Sequence, residues 1–183
     1  MIETEQSVVI KAPIADVWAY AKEVAGWAEI MPGYQACEIA DADNSRWVLK
    51  VGVGGLVRTV KVQVHVDLWA GPEKVDFSFR LEGDPVSGGG SYRAVAEGTG
   101  ATGVTLHVRV VGGGPMAPMW EAMGGPLLPK FALAFAEQLK QRIEVSLGVA
   151  EAAPSAPGLF ARFRQWLRNV WSRRFSQSVM RKT

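Results

Sequence analysis

The sequence has few of the features that mark several large classes of protein. Cys37 is the only cysteine among 183 residues, which excludes an intramolecular disulfide framework. No stretch approaches the roughly 20 uninterrupted apolar residues of a membrane-spanning helix. The opening residues, Met-Ile-Glu-Thr-Glu-Gln, are acidic and polar, unlike the basic start and apolar core of a secretory signal. We therefore expect a cytoplasmic protein, peripheral on the inner face of the cell membrane if it binds a membrane.

The chain also lacks recognisable catalytic and metal-binding motifs. Its two histidines, His65 and His107, occupy polar positions of alternating segments, and we expect both to face solvent and to bind no metal. The glycine-rich segments 52–55 and 88–90 lack the spacing and the following Lys-Ser/Thr of a phosphate-binding loop, and the second is predicted to be a turn or bulge. Cys37 has no evident base beside it and is expected to be buried or inert. These absences predict a non-enzymatic protein without an intrinsic cofactor.

Acidic residues are missing from one part of the chain. Residues 158–183 contain no acid and seven basic side chains, whereas residues 1–157 contain 13 basic and 18 acidic side chains. The acidic body argues against a nucleic-acid partner, because such a partner needs a basic stripe that neutralises phosphates. The chain therefore divides into a predicted ligand-binding domain at 1–148, an Ala/Pro-rich linker at 149–157 and a basic tail at 158–183.

The basic tail has the pattern of an amphipathic helix. At 100° per residue its apolar residues from 159 to 171 fall on one face, with polar and basic residues opposite. This arrangement is typical of a helix that lies in the headgroup region of an anionic membrane, and docking on a partner protein is the alternative. The predicted membrane-binding residues are Phe160, Phe163, Trp166, Leu167, Val170 and Trp171 together with Arg162, Arg164, Arg168, Arg173 and Arg174.

The body alternates cleanly between apolar and polar residues. A first strand is predicted at 4–11, followed by a helix that opens at Ala12-Pro13 and a short helix at 26–31 that ends at the Pro32-Gly33 turn. Period-2 alternation then predicts antiparallel strands at 47–53, 60–68, 75–82 and 104–110, and two further strands are expected at 33–42 and 90–98.

The last part of the body has helical periodicity. From 116 to 147 the pattern predicts a long helix, which Gly124, Gly125, Pro126 and Pro129 should kink or interrupt. One face of its second half is predicted to carry Leu127, Phe131, Ala134, Phe135, Gln138, Leu139 and Arg142.

This element order predicts an α+β helix-grip fold, in which a curved antiparallel sheet of about six to seven strands wraps a long C-terminal helix and two short helices follow strand 1. An apolar cavity is expected between sheet and helix. Methionine is flexible and suits variable apolar ligands, although simple core packing explains the same residues. The predicted cavity residues are Val62, Val64, Phe77, Phe79, Leu106, Met116, Met119, Trp120, Met123, Leu127, Phe131 and Phe135.

Two segments resemble a known family. The opening SVVIKAPIADVWAYAKEVAGWAEIMPGYQACE is similar to the start of the CoxG accessory proteins of carbon monoxide dehydrogenase, and GPMAPMWEAMGGPLLPKFALAFAEQLKQRIE is similar to the lid and long helix of related proteins. These proteins belong to the START-like, polyketide-cyclase-like superfamily, which has a helix-grip fold. The resemblance covers residues 4–147. It implies an accessory protein for a molybdenum-containing CO dehydrogenase or a related hydroxylase, which it would attach to the membrane while handling a hydrophobic molecule.

Three functions follow from these observations. The first is a membrane-tethered carrier of an apolar ligand, a quinone or a lipid. The second is a recruitment module with no ligand role, in which the tail binds an anionic membrane and the acidic body docks the partner enzyme. The third is a cyclase-like or aromatase-like enzyme. The chain departs from those enzymes because no inward-facing polar set is evident, and Tyr92 and Arg93, predicted near a loop, alternate so that at most one points inward.

Overall fold

The computed structural model describes residues 1–53, 56–115 and 117–149. Within these residues the chain forms seven strands and three helices. The predicted tail and the linker beyond Val149 lie outside the described residues. In chain order the elements are β1 (Ile2–Ile10), α1 (Ile14–Ala21), α2 (Val24–Ile30), β2 (Tyr34–Ile39), β3 (Asn44–Val53), β4 (Leu56–Ala70), β5 (Lys74–Leu81), β6 (Val86–Ala96), β7 (Thr102–Gly112) and α3 (Ala117–Ser146).

The seven strands make one antiparallel sheet in the order β1-β7-β6-β5-β4-β3-β2. Strands β2 to β7 form a meander, and β1 joins it at the β7 edge, where Ile2 pairs with Val110. Two short helices fill the connection from β1 to β2, and α3 follows the last strand. The predicted helix-grip fold is confirmed.

Local sequence explains how the short helices begin and end. Pro13 immediately precedes α1, where its missing N–H leaves no hydrogen bond unmade. The predicted Pro32-Gly33 turn follows α2, and Gly33 adopts a φ of 82°, which a side chain would disfavour. A Cβ at this position would lie 2.0 Å from the Lys50 carbonyl oxygen, so glycine also allows the turn to approach β3.

The period-2 alternation places one apolar face of the sheet inward. Val62 and Val64 on β4 are buried, whereas Lys61 and His65, which flank them in the sequence, are exposed. The two histidines face outward as predicted, with side chains 50% exposed at His65 and 38% exposed at His107. The period-2 pattern of the strand predicted at 60–68 also places Leu68 on the inner face, but a bulge between Val66 and Leu68 shifts the register and leaves it 43% exposed.

Helix α3 packs across the apolar face of the sheet. Its buried side chains include Ala132, Ala136, Leu139 and Ile143, spaced by three or four residues. The predicted face was partly wrong, because Gln138 and Arg142 are exposed. Of the two predicted outcomes, a kink or an interruption, the interruption was wrong, because the helix runs through Pro126 and Pro129.

Polar contacts tie the C-terminal end of α3 to the end of β1. The buried Glu144 carboxylate accepts hydrogen bonds from the Lys11 backbone N–H at 2.8 Å and from Lys140 Nζ at 2.5 Å, and Lys140 also donates to the Val9 carbonyl at 2.6 Å. Burial raises the pKa of Glu144, but the two donors outweigh it and hold the pKa below its ordinary value. This end of the helix is therefore fixed to the sheet by an ionised carboxylate.

Candidate functional site

A cavity of about 290 Å³ lies between the inner face of the sheet and α3. Side chains from β1 and from β3 to β7 form one wall, and α3 with parts of α1 and α2 forms the other. Among the described lining residues, hydroxyl or carboxyl side chains occur only at Ser91, Tyr92 and Glu121. The site is therefore suited to an apolar molecule with few polar atoms.

The structure brings together most of the side chains predicted for this cavity. The predicted residues that line it are Val62, Val64, Phe77, Phe79, Leu106, Trp120, Met123, Leu127, Phe131 and Phe135.

Two of the predicted cavity residues are not among these lining residues. Met116 lies outside the described residues. Met119 is 40% exposed and does not line the cavity, because it lies 100° around the helix from Trp120 and turns away from the sheet. The prediction for Met119 was wrong.

Aromatic side chains cluster at one end of the cavity, which we call the Trp27 end. The Trp27 ring on α2 makes edge contacts with Phe77 at 6.0 Å and Phe135 at 6.5 Å between centroids, and it lies 6.4 Å from the Tyr92 ring. Trp27 and Met31 also line the cavity and were not predicted, although their i, i+4 spacing in the predicted short helix was a usable signal.

The opposite end, which we call the Trp120 end, lies where α3 begins. Trp120 stands beside the last residue of β7, since a Cβ on Gly112 would meet the Trp120 Cβ at 2.9 Å. The Arg58 guanidinium lies 5.7 Å from the centre of the Trp120 ring and pairs with Asp84 at 2.8 Å. The N-terminal amino group pairs with Glu121 nearby. Charged contacts therefore hold the start of α3 to the sheet.

The glycines of β6 allow the cavity-lining phenylalanines to lie across the sheet. Gly88 and Gly90 are in the middle of the strand, so the predicted turn or bulge was wrong. A Cβ at Gly88 would lie 2.4 Å from the Phe79 ring and 2.3 Å from the Arg109 carbonyl oxygen. A Cβ at Gly90 would lie 2.7 Å from the Phe77 ring. The rings occupy the space that side chains on β6 would otherwise fill.

Of Tyr92 and Arg93, at most one was predicted to point inward, and Tyr92 is that residue. It lies within β6 rather than near a loop, it is 1% exposed, and it lines the cavity at the Trp27 end. Its hydroxyl has no hydrogen-bond partner among the described residues. Burial raises the pKa of this phenol far above its ordinary value, so the hydroxyl stays protonated. Arg93, the next residue, is exposed.

Metal-ligating side chains are dispersed over the part of the chain that the structure describes. No three His, Cys, Asp or Glu side chains approach closely enough there to hold a metal ion. Cys37 is partly buried, and burial followed by the charge of Glu29 raises its pKa, which keeps the thiol protonated and unreactive.

Residues 1–144 match the model of a protein family described as polyketide cyclase / dehydrase and lipid transport. The chain belongs to this family. Its superfamily, the START-like proteins, is known for binding hydrophobic ligands, and some members are cyclases. No curated protein matches the chain by sequence.

Solved structures share the fold of this family. A conserved protein from Geobacillus kaustophilus is 18% identical, with a TM-score of 0.69, and the match covers 79% of this chain and 97% of that one. A START superfamily protein from Mycobacterium smegmatis is 14% identical, with a TM-score of 0.61 and coverage of 79% and 98%. The Zhui aromatase/cyclase from Streptomyces sp. R1128 is 19% identical, with a TM-score of 0.58 and coverage of 86% and 99%.

Among the helices that the structure describes, none is both long enough and apolar enough to cross a membrane.

Proposed function

We propose that this protein is a non-catalytic carrier that binds one apolar molecule, a quinone or a lipid, in the cavity between the sheet and α3. The observation that carries the proposal is the composition of the cavity wall, which is almost wholly aliphatic and aromatic. Removing apolar surface from water is worth about 25 cal/mol per Å². Transfer of an apolar ligand from water into this cavity is therefore favourable, and the ligand does not need a polar partner at each atom.

The size of the cavity limits the part of the ligand that it encloses. About 290 Å³ is at the lower end of the roughly 300–1,000 Å³ range of small-molecule sites. This volume suits a ring system or a short acyl segment, with the rest of a longer molecule extending beyond it. The aromatic cluster of Trp27, Phe77 and Phe135 favours a flat ring at the Trp27 end.

The ionisable groups of the cavity favour binding over catalysis. Tyr92 stays protonated and so cannot act as a base, and Glu121 is engaged with the N-terminal amino group at the Trp120 end. Among the described lining residues no further carboxylate, histidine or lysine stands ready to move a proton. We therefore prefer a carrier to a cyclase-like enzyme.

The basic tail is the segment that we propose binds the membrane. Each basic residue near an anionic surface contributes up to about 1 kcal/mol, and the large apolar side chains on the opposite face add a comparable contribution when they enter the interface. Residues 149–157, fully extended, would reach roughly 30 Å. The carrier domain would then work close to the inner face of the cell membrane.

The resemblance to the CoxG accessory proteins of carbon monoxide dehydrogenase supports the proposed partner. A molybdenum-containing hydroxylase that is not embedded in the membrane needs a route for its electrons to membrane quinone. A tethered domain that holds a quinone would supply this route. We propose that the acidic body docks such an enzyme while the cavity serves it.

Ligand binding is tested with a matched pair of methionines on α3. Met123 lines the cavity and Met119 is exposed four residues earlier. Placing an amide in an apolar site without a partner costs about 1–3 kcal/mol. We expect Met123→Gln to weaken binding of menadione, followed by quenching of tryptophan fluorescence, at least about tenfold. Met119→Gln should leave the affinity unchanged.

The native ligand is tested by organic extraction of the full chain purified from its host, followed by mass spectrometry. A quinone or lipid in the extract supports the proposal. An empty extract, together with no binding of menadione or of the fluorescent fatty acid cis-parinaric acid, would overturn it. If Met123→Gln abolishes menadione binding but leaves activity of the partner enzyme in cells intact, the protein is a recruitment module instead.

A further inference from the structure

Among the described residues that line the cavity, Tyr92 has a fully buried side-chain hydroxyl without a hydrogen-bond partner. The whole residue is almost fully buried. Most buried hydroxyls in folded proteins have a partner, because an unpaired polar group in an apolar environment is unfavourable. A phenylalanine would fill almost the same space without this cost. The hydroxyl therefore needs an explanation that packing alone does not supply.

The surroundings of Tyr92 are apolar on the sheet and on α2. Its cross-strand partners are Val75 on β5 and Leu106 on β7, and the Trp27 ring lies 6.4 Å from its own ring. These side chains provide no strong acceptor for a phenol. Tyr92 is among the residues that line the cavity, but its hydroxyl is itself buried against protein atoms, so an acceptor atom reaches it from the cavity only when the ligand displaces the side chains that cover it.

The chemistry of the phenol restricts the acceptor. With its pKa raised by burial, Tyr92 donates a hydrogen bond and does not become an anion. A neutral donor in an apolar wall suits a neutral acceptor, such as the carbonyl oxygen of a quinone or of an ester or ketone. A carboxylate would bring an unpaired charge into the cavity, which is far more costly than a carbonyl.

We propose that Tyr92 anchors the polar end of the ligand by a hydrogen bond. The protein would then select apolar molecules that carry a carbonyl oxygen on the part that lies at the Trp27 end of the cavity. This inference rests on the proposed carrier function and adds a specificity-determining residue to it. The carbonyl oxygen accepts the Tyr92 hydrogen bond while the aromatic cluster of Trp27, Phe77 and Phe135 contacts the attached apolar part.

Two pairs of probes that differ in their oxygen atoms test the proposal. Menadione and 2-methylnaphthalene share a ring skeleton, and 2-undecanone and undecane share an alkyl chain. Affinities are measured on the full chain by displacement of the uncharged methyl ester of cis-parinaric acid. A hydrogen bond made only by the carbonyl compound should favour it about tenfold over its hydrocarbon in the native protein.

Tyr92→Phe should remove that preference and leave the affinity for the hydrocarbons the same or slightly higher. Tyr34→Phe is the matched control, because Tyr34 does not line the cavity, and it should keep the preference. The infrared carbonyl band of bound menadione should lie at lower frequency in the native protein than in Tyr92→Phe. Which probe pair shows the larger effect distinguishes a quinone from an acyl lipid.

The possible failures are separable. If hydrocarbons and carbonyl compounds bind the native protein and Tyr92→Phe with the same affinities, the role of Tyr92 is overturned and the carrier function stands. This is also the result expected if the hydroxyl holds only a water molecule. If none of the four probes binds the native protein, both proposals are overturned. Thermal melting of the ligand-free variants checks folding, and Tyr92→Phe should melt at the same or a higher temperature.

Discussion

The ring of Phe79 on β5 occupies the space beside Gly88 on β6, where any Cβ would lie 2.4 Å from the Phe79 Cζ atom. The two residues are direct partners in the antiparallel pairing of these strands. Phe79 also lines the cavity. The absence of a side chain at residue 88 therefore determines where one part of the cavity wall lies.

Gly88→Ala should destabilise the protein by at least about 2 kcal/mol, because the added methyl group would overlap both the Phe79 ring and the Arg109 carbonyl oxygen. Urea denaturation followed by circular dichroism measures the effect. Gly100→Ala is the control, since a Cβ there meets nothing within 4 Å. Equal stability of the two variants would contradict this account of β6.

The anchor at the far end of α3 predicts a pH-dependent stability. Because folding lowers the pKa of Glu144, its contribution is fully present above the ordinary value of 4.5 and is lost as the pH falls through the lower folded value. At pH 7, Glu144→Gln should lose about 1–3 kcal/mol, since the Lys140 ammonium and the Lys11 amide lose their charged acceptor.

The difference in unfolding free energy between the native protein and Glu144→Gln should therefore shrink between pH 6 and pH 3. Chemical denaturation at several pH values measures it. Glu137→Gln, an exposed position on the same helix, should stay within about 0.5 kcal/mol of the native protein. A difference that is constant over this pH range would show that the carboxylate charge does not anchor the helix.

The contacts of Arg58 predict the rate at which a ligand leaves. Arg58 connects Asp84 to the Trp120 ring at the end of the cavity where α3 begins. An exposed cation–π contact is worth about 0.5–1 kcal/mol, so Arg58→Gln should speed release of menadione about two- to fivefold in stopped-flow measurements. Arg80→Gln, on the outer face of the sheet, removes the same charge and should leave the rate unchanged. Equal rates in the two variants would exclude a role for this contact.

The sequence predicted β3, β4 and β7 well because one face of each of these strands is buried. In segments such as 60–66 the apolar residues alternate strictly, and a one-residue shift would expose all of them. The same pattern predicted Val62, Val64, Phe77 and Phe79 as cavity residues.

The sequence was less informative about β6. The strand contains Ser-Gly-Gly-Gly-Ser, in which no apolar residue alternates, so neither its extent nor the inward direction of Tyr92 could be predicted. The space above its glycines is filled by rings from β5, which is a relationship between strands rather than a local pattern. The prediction that Met119 lines the cavity was wrong for a similar reason. Only the packed position of α3 shows which side of its first turn faces the sheet.

The proposed membrane-binding tail predicts that its apolar face is the anchor. Trp166→Glu with Trp171→Glu adds two negative charges and removes two indole rings from that face. Gln165→Glu with Ser172→Glu adds the same charge on the predicted polar face. Each ring contributes up to about 1.5–3 kcal/mol on burial, whereas each added charge weakens attraction to the membrane by about 1 kcal/mol. Binding is measured by cosedimentation of the full chain with phosphatidylglycerol vesicles. The tryptophan variant should bind the vesicles more than tenfold more weakly than the polar-face variant.

Raising the salt concentration separates the two contributions, because it screens the charges and leaves the apolar contribution in place. At about 0.5 M salt the polar-face variant should bind about as well as the native chain, and the tryptophan variant should remain in the supernatant. If the two variants bind the vesicles equally well at low salt, and again at high salt, the apolar face is not the anchor and the arginines alone bind the membrane. Loss of binding to a purified partner enzyme, with vesicle binding unchanged, would assign the tail to protein docking instead.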